Sequence, residues 1–180
     1  VSRAIGTDTR IGSKFLDSGP GFGGSCFKKD ILNLVYLSNH FGLPEVANFW
    51  EEVVNINNWH QKRISKIVIK KLFGTISQKK IVILGFAFKA NTNDTRESAA
   101  ITICKDLIEE GALLSIHDPK VDKNQIEKDL GIISISTCEN KLEDESFKNK
   151  GGWTYAPSAN ESLTGADASI ILTEWKEYEM

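Results

Sequence analysis

From Lys79 onward the chain changes its hydrophobic period, and that change limits what it can fold into more than any other feature. KKIVILGFAF (79–88) is an apolar, β-branched run of strand length. DTRESAAITICKDLIEEGA (94–112) has helical spacing, with Asp94 and Glu97 placed as a capping box and Gly111 as its stop. LLSIHDP (113–119), GIISIS (131–136) and ASIILTEW (168–175) are three further strand candidates, with VDKNQIEKDL (121–130) a short helix between the first two. Alternating strands and helices imply right-handed crossovers and a parallel sheet. Residues 139–167 are polar and rich in Gly and Ser, and are expected to be a surface excursion with a helical turn near 158–163.

The first part of the chain follows another rule. Residues 1–24 are glycine-punctuated loop, and a helical pattern runs from Ser25 to Gly42. Pro44 suits the first turn of a second helix over 45–73, which Gly74 ends. At ~1.5 Å per residue that helix is about 43 Å long. Such a length points to a domain link or a dimer interface. The expected fold is therefore α/β: a helical linker or dimerisation segment over 1–76, then a Rossmann-like, doubly wound parallel sheet over 77–180.

Composition excludes several classes. With 41% apolar residues and four Trp the chain buries a core and is not disordered. A net charge of −2 gives no argument for nucleic acid or a membrane surface. No apolar run reaches the ~18 residues of a membrane span. The three cysteines are odd in number and lack a C-x-x-C pair, which fits reduced thiols in a cytoplasm; the three histidines are scattered, so no metal is expected. The opening VSRAIGTDTRIG looks like the middle of a structure, and a fragment is expected.

GPGFGGSCFKKD (19–30) contains G-x-G-x-x-G at Gly19, Gly21 and Gly24. A dinucleotide fingerprint must follow a strand and lead on to an acidic residue after the next strand. KFLDS before it is no buried strand, and no strand follows for about fifty positions, so the fingerprint is rejected. The stretch instead offers a thiol at a helix entrance: Ser25 as N-cap, Cys26 in the first turn, Lys28 and Lys29 beside it. Unpaired N–H groups, the helix dipole and both lysines favour thiolate. Asp30 lies one turn on, completing a plausible catalytic pair. Periodicity alone favours the plainer reading, in which Cys26 is a small buried residue and Asp30 merely suits a helix start.

The residues from Gly19 to Asp30 resemble the active-site segment of the nucleotide-sugar dehydrogenases, the UDP-glucose/GDP-mannose dehydrogenase family. ILGFAFKANTNDTRES (83–98) resembles the loop that opens the family's C-terminal domain, and RIGSKFL (10–16) its segment upstream of the cysteine. The resemblance implies NAD-dependent oxidation of UDP-glucose through a thiohemiacetal and then a thioester on Cys26, with Asp30 assisting hydrolysis and Lys89 completing the catalytic set. It places the substrate on Arg10, Asp17, Ser18, Gly19, Pro20, Gly21, Phe22, Gly23, Phe88 and Lys89, with Arg10 reaching the neighbouring subunit of a homodimer or larger homo-oligomer. It places Cys26, Phe27, Lys28, Lys29 and Arg96 at the cofactor. The family's N-terminal NAD-binding domain, with its own catalytic Lys and Glu, and a late substrate arginine have no counterpart in these residues, so the chain alone is expected to be inactive. Lys28 stands where relatives usually have Pro or Gln. A non-catalytic UDP-sugar-binding or assembly module, and a dehydrogenase of another UDP- or GDP-sugar, remain the alternatives.

Overall fold

The computed structural model describes residues 1–13, 16, 18–135 and 150–179. A short helix, α1 (Ser2–Ile5), precedes the glycine loop; α2 (Phe27–His40) and α3 (Pro44–Lys71) follow and pack on each other. Pro44 opens α3, where its missing N–H costs nothing, and Gly74, at φ +88°, donates back to the Ile69 carbonyl to close it. The buried stripe of α3 is Ala47, Val54, Asn57, Gln61 and Ser65. Its lower end rests on α4 (Ala99–Glu109), where Ser65 Oγ donates to Asp106 at 3.1 Å.

Four strands, β1 (Lys80–Leu84), β2 (Leu113–His117), β3 (Gly152–Tyr155) and β4 (Ala168–Ile171), form one sheet in the order β3-β2-β1-β4. Every pair is parallel, and Ile83 sits opposite Ile116 on one side and Ile170 on the other. Helix α4 joins β1 to β2, α5 (Lys123–Leu130) lies between β2 and β3, and α6 (Ala159–Leu163) between β3 and β4. Progression reverses at β1, so right-handed crossovers set α6 on the opposite face from α4 and α5. Burial on both faces explains why Ile81, Val82, Ile83 and Leu84 are all buried without alternation. Ile103, Leu107, Ile116 and Trp153 complete the fully buried centre.

The structure corrects the expected elements in three places. The third strand is GWTY, inside the stretch read as a surface excursion, whereas residues 131–135 of the GIISIS candidate form no strand and residue 136 lies outside the described residues. Trp153 decides this: its ring is wholly buried and its indole N–H donates to the Ile132 carbonyl at 2.8 Å. The glycines that suggested a loop let β3 enter the sheet, since a Cβ on Gly151 would run into the Ile108 carbonyl. Helix α4 starts at Ser98 rather than at an Asp94–Glu97 box: Ser98 Oγ accepts from Ala100 N–H and donates to the Phe86 carbonyl at 2.8 Å. Helix α2 is capped by Cys26 itself, with no side-chain cap bond, and not by Ser25. The helical turn near 158–163 is α6, capped by Ser158.

Two buried polar groups at the sheet's carboxyl edge organise its loops. The Asp118 carboxylate accepts from Phe86, Ala87, Lys120 and Val121 N–H and from the Trp175 indole. The His117 ring bridges the Ala156 carbonyl and Glu177, and Tyr178 donates to the His117 carbonyl at 3.2 Å. These bonds seat the closing turn Lys176–Tyr178.

Candidate functional site

Ligands of an open parallel sheet bind outside the carboxyl ends of its strands, where strand order reverses. In this sheet that place lies between β1 and β4, and a cleft of about 660 Å³ occupies it. Ala87, Phe88 and Lys89 after β1 and Leu172 and Glu174 after β4 form one wall, with Ser98, Ala99 and Ala100 at the start of α4 below. The glycine loop, Ser18 to Gly23, closes the other side. Lys89 and Glu174 are the charged groups of the lining, and the Lys89 ammonium sits 5.3 Å from the Phe88 ring centre.

The loop is held from α3. Asn57, buried, accepts the Phe22 N–H at 2.9 Å and donates to the Phe22 carbonyl at 3.1 Å. One carboxamide thus pairs with both backbone groups of one residue, as a neighbouring strand would. Gln61 reaches the same carbonyl, and His60 Nε2 donates to the Gly19 carbonyl at 3.0 Å. The far end of the loop is fastened to the sheet domain. Gly24 N–H donates to the Arg96 carbonyl at 2.8 Å, and Lys28 meets Glu97 at 2.8 Å. A Cβ on Gly23 would lie 2.5 Å from the Glu97 carbonyl oxygen, and one on Gly24 3.1 Å from the Phe88 ring. These glycines exist for contact between the two motifs, with no strand before them, so they do not form a dinucleotide cradle.

The sequence candidates are therefore partly gathered. Ser18 to Gly23, Phe88 and Lys89 share the cleft; Cys26 and Asp30 are not in its lining and follow Gly23 along the chain, both exposed, at the entrance of α2. Cys26 is not the small buried residue that periodicity favoured, because capping α2 at the end of the loop leaves its sulfur exposed, 3.8 Å from Ser25 Oγ. Asp30 N–H donates to the Cys26 carbonyl at 2.9 Å, the first turn of α2. Phe27 meets Phe22 edge-on at 4.8 Å, and Lys29 is exposed. Arg96 is paired with Asp94 at 2.6 Å; that bond raises the guanidinium further above its usual range, Cys26 contributes the same way, and Arg96 in turn holds Asp94 below the usual carboxylate range. Arg10 stands apart from the cleft, exposed and paired with Asp8 at 2.6 Å. Asp17 lies outside the described residues. The other described free thiol, Cys104, is fully buried, and burial pushes it far up. Among the described residues no three His, Cys, Asp or Glu side chains gather to hold a metal, and no helix is long and apolar enough to cross a membrane.

Sequence reasoning missed Asn57, Gln61, His60 and Glu174. A signal for the first two was present: they fall on the buried stripe of α3, where a carboxamide must find backbone to bond.

Comparison with known proteins decides the family. Residues 82–180 match the model of the UDP-glucose/GDP-mannose dehydrogenase family, UDP binding domain, and residues 1–59 that family's central domain. The chain belongs to the UDP-glucose/GDP-mannose dehydrogenase family. Within it, the chain is 50% identical over 179 residues to a UDP-glucose 6-dehydrogenase of Caenorhabditis elegans, covering 99% of this chain and 35% of that one. The UDP-glucose 6-dehydrogenase of Drosophila melanogaster is 47% identical over 178 residues, with 99% and 36% covered. The solved UDP-glucose dehydrogenase of Pyrobaculum islandicum superposes with a TM-score of 0.74 at 29% identity, covering 98% of this chain and 36% of that one. The chain spans about a third of the length of these family members.

Proposed function

We propose that this chain carries the nucleophile and the nucleotide-sugar site of an NAD-dependent oxidoreductase that converts UDP-glucose to UDP-glucuronate in the cytoplasm. One observation carries the reading: the cysteine loop and the Phe88–Lys89 turn, far apart in sequence, close on one cleft at the strand-order reversal. The diphosphate would lie between Lys89 and the start of α4, where a cation and the positive end of the helix dipole favour anions. The loop Asp17 to Gly23 would wrap the sugar and aim its C6 toward Cys26, with Arg10 supplied to the neighbouring subunit of a homo-oligomer. NAD, when bound, accepts hydride from C6; its main binding site lies outside these residues, and Phe27, Lys28, Lys29 and Arg96 would form only its rim.

The chain's own chemistry is covalent. The Cys26 thiolate adds to the C6 aldehyde, the carbonyl electrons move to oxygen, and a proton gives the thiohemiacetal. Loss of hydride from C6 of that adduct, and of its hydroxyl proton to water, leaves a thioester. Water, oriented by Asp30, attacks the thioester carbon, the C–S bond breaks, and carboxylate and thiolate are released. In this reading residues 1–76 supply the cysteine loop and dimerisation helices, and 77–180 the sugar-nucleotide domain.

The test supplies the purified chain with a separately expressed family NAD-binding domain, UDP-glucose and NAD. NADH should form with both proteins and not with this chain alone. Cys26→Ser should abolish it while calorimetric UDP-glucose affinity stays within a few-fold. Full turnover by Cys26→Ser would overturn the mechanism, and tighter binding of GDP-mannose or a UDP-N-acetylhexosamine would reassign the sugar.

A further inference from the structure

Lys28 and Glu97 are separated by sixty-nine positions yet meet at 2.8 Å, across the seam between the cysteine helix and the loop before α4. Both side chains are partly exposed, 35% and 49%, so the pair is made where solvent could compete. Glu97 also has a backbone few such residues adopt, φ +53°. That conformation brings its carbonyl over Gly23, into space a Cβ would fill, while its carboxylate reaches Lys28. One residue earlier, the Arg96 carbonyl takes the Gly24 N–H at 2.8 Å. Three contacts from two consecutive residues therefore grip Gly23, Gly24 and Lys28, on either side of Cys26. A left-handed, non-glycine residue persists only where its surroundings hold it.

We propose that Lys28 and Glu97 form an electrostatic clasp that fixes the cysteine loop against the nucleotide-binding sheet, making both of them positioning residues for the nucleophile. Lys28, on the rim proposed for the cofactor, is then held there by the protein's own seam. The effect on chemistry rests on the proposed function; the clasp itself does not.

Hydrogen exchange at the Gly24 amide, measured without ligand, reports opening of the seam. Lys28→Gln and Glu97→Gln should each speed that exchange about two- to five-fold, the range of an exposed ion pair. Salt at ~1 M should do the same to the unaltered chain, since screening then acts within ~3 Å. The exchanged pair Lys28→Glu with Glu97→Lys should recover at least half the lost protection. Glu97→Gly suits the backbone but lacks the carboxylate, so it should lose protection without lowering the melting temperature. Unchanged exchange in the single variants, or an exchanged pair no better than either, overturns the clasp. A second arm measures NADH formation with the NAD-binding domain supplied. There kcat should fall at least two-fold in Lys28→Gln and Glu97→Gln while KM for UDP-glucose stays within two-fold. Lost protection with unchanged kcat overturns the positioning role; absence of turnover in the unaltered protein overturns the dehydrogenase reading and leaves exchange to judge the clasp.

Discussion

Asn57 and Gly23 grip the same loop from opposite sides, one by bonding and one by having no side chain. Asn57→Ala would leave the Phe22 N–H without its protein partner and the Phe22 carbonyl with Gln61 alone. The expected cost is about 1–3 kcal/mol, read from the denaturant midpoint, and the loop should become protease-sensitive. Gly23→Ala forces Glu97 and the loop apart, because the contact at 2.5 Å is with backbone and no side chain can rotate away. A loss of about 1–3 kcal/mol is expected for it, checked by thermal melting. The candidate chemistry was legible at this scale because Gly19 to Asp30 is a contiguous run. Asn57 was legible only as a polar residue on a buried stripe, with its partner unspecified. Glu174 was not legible, since nothing local distinguishes a carboxylate that lines a cleft from one facing water.

At the scale of elements, a strand is recognisable when burial on two faces makes it a continuous apolar run, as in IVIL. The edge strand GWTY failed that test: four residues, one Thr and an entering glycine look like a loop until Trp153 is seen to fill the sheet's flank. GIISIS looked better by composition, but one of its carbonyls is spent on the Trp153 indole. Trp153→Ala should therefore cost about 3–5 kcal/mol by chemical denaturation, far more than a surface excursion would tolerate as a change. Helix α3 was readable end to end because proline and glycine mark its limits. Its second, outer stripe of Phe49, Ile56 and Ile67 is exposed, which supports the expected subunit contact. Ile56→Asp should shift sedimentation toward the monomer without lowering helicity.

For the whole molecule, the buried Cys104 thiol and Tyr178 phenol are both pushed upward by burial, Tyr178 further by Asp118 and Glu177. The folded chain keeps both neutral, whereas the unfolded chain ionises them near their ordinary values of 9.0 and 10.0. Stability should thus be undiminished by these groups below pH 9 and fall as pH rises beyond it. Tyr178→Phe should flatten the upper part of that decline in melts taken across alkaline pH. The acid that follows β2 has a larger consequence. In dinucleotide-binding sheets a carboxylate near this position holds a ribose hydroxyl. Here Asp118 already serves five donors with only about four lone-pair sites, so it has nothing left to offer a sugar. The acid that elsewhere selects a ribose is here an internal rivet, tying the turns after β1, β2 and β4 to one another.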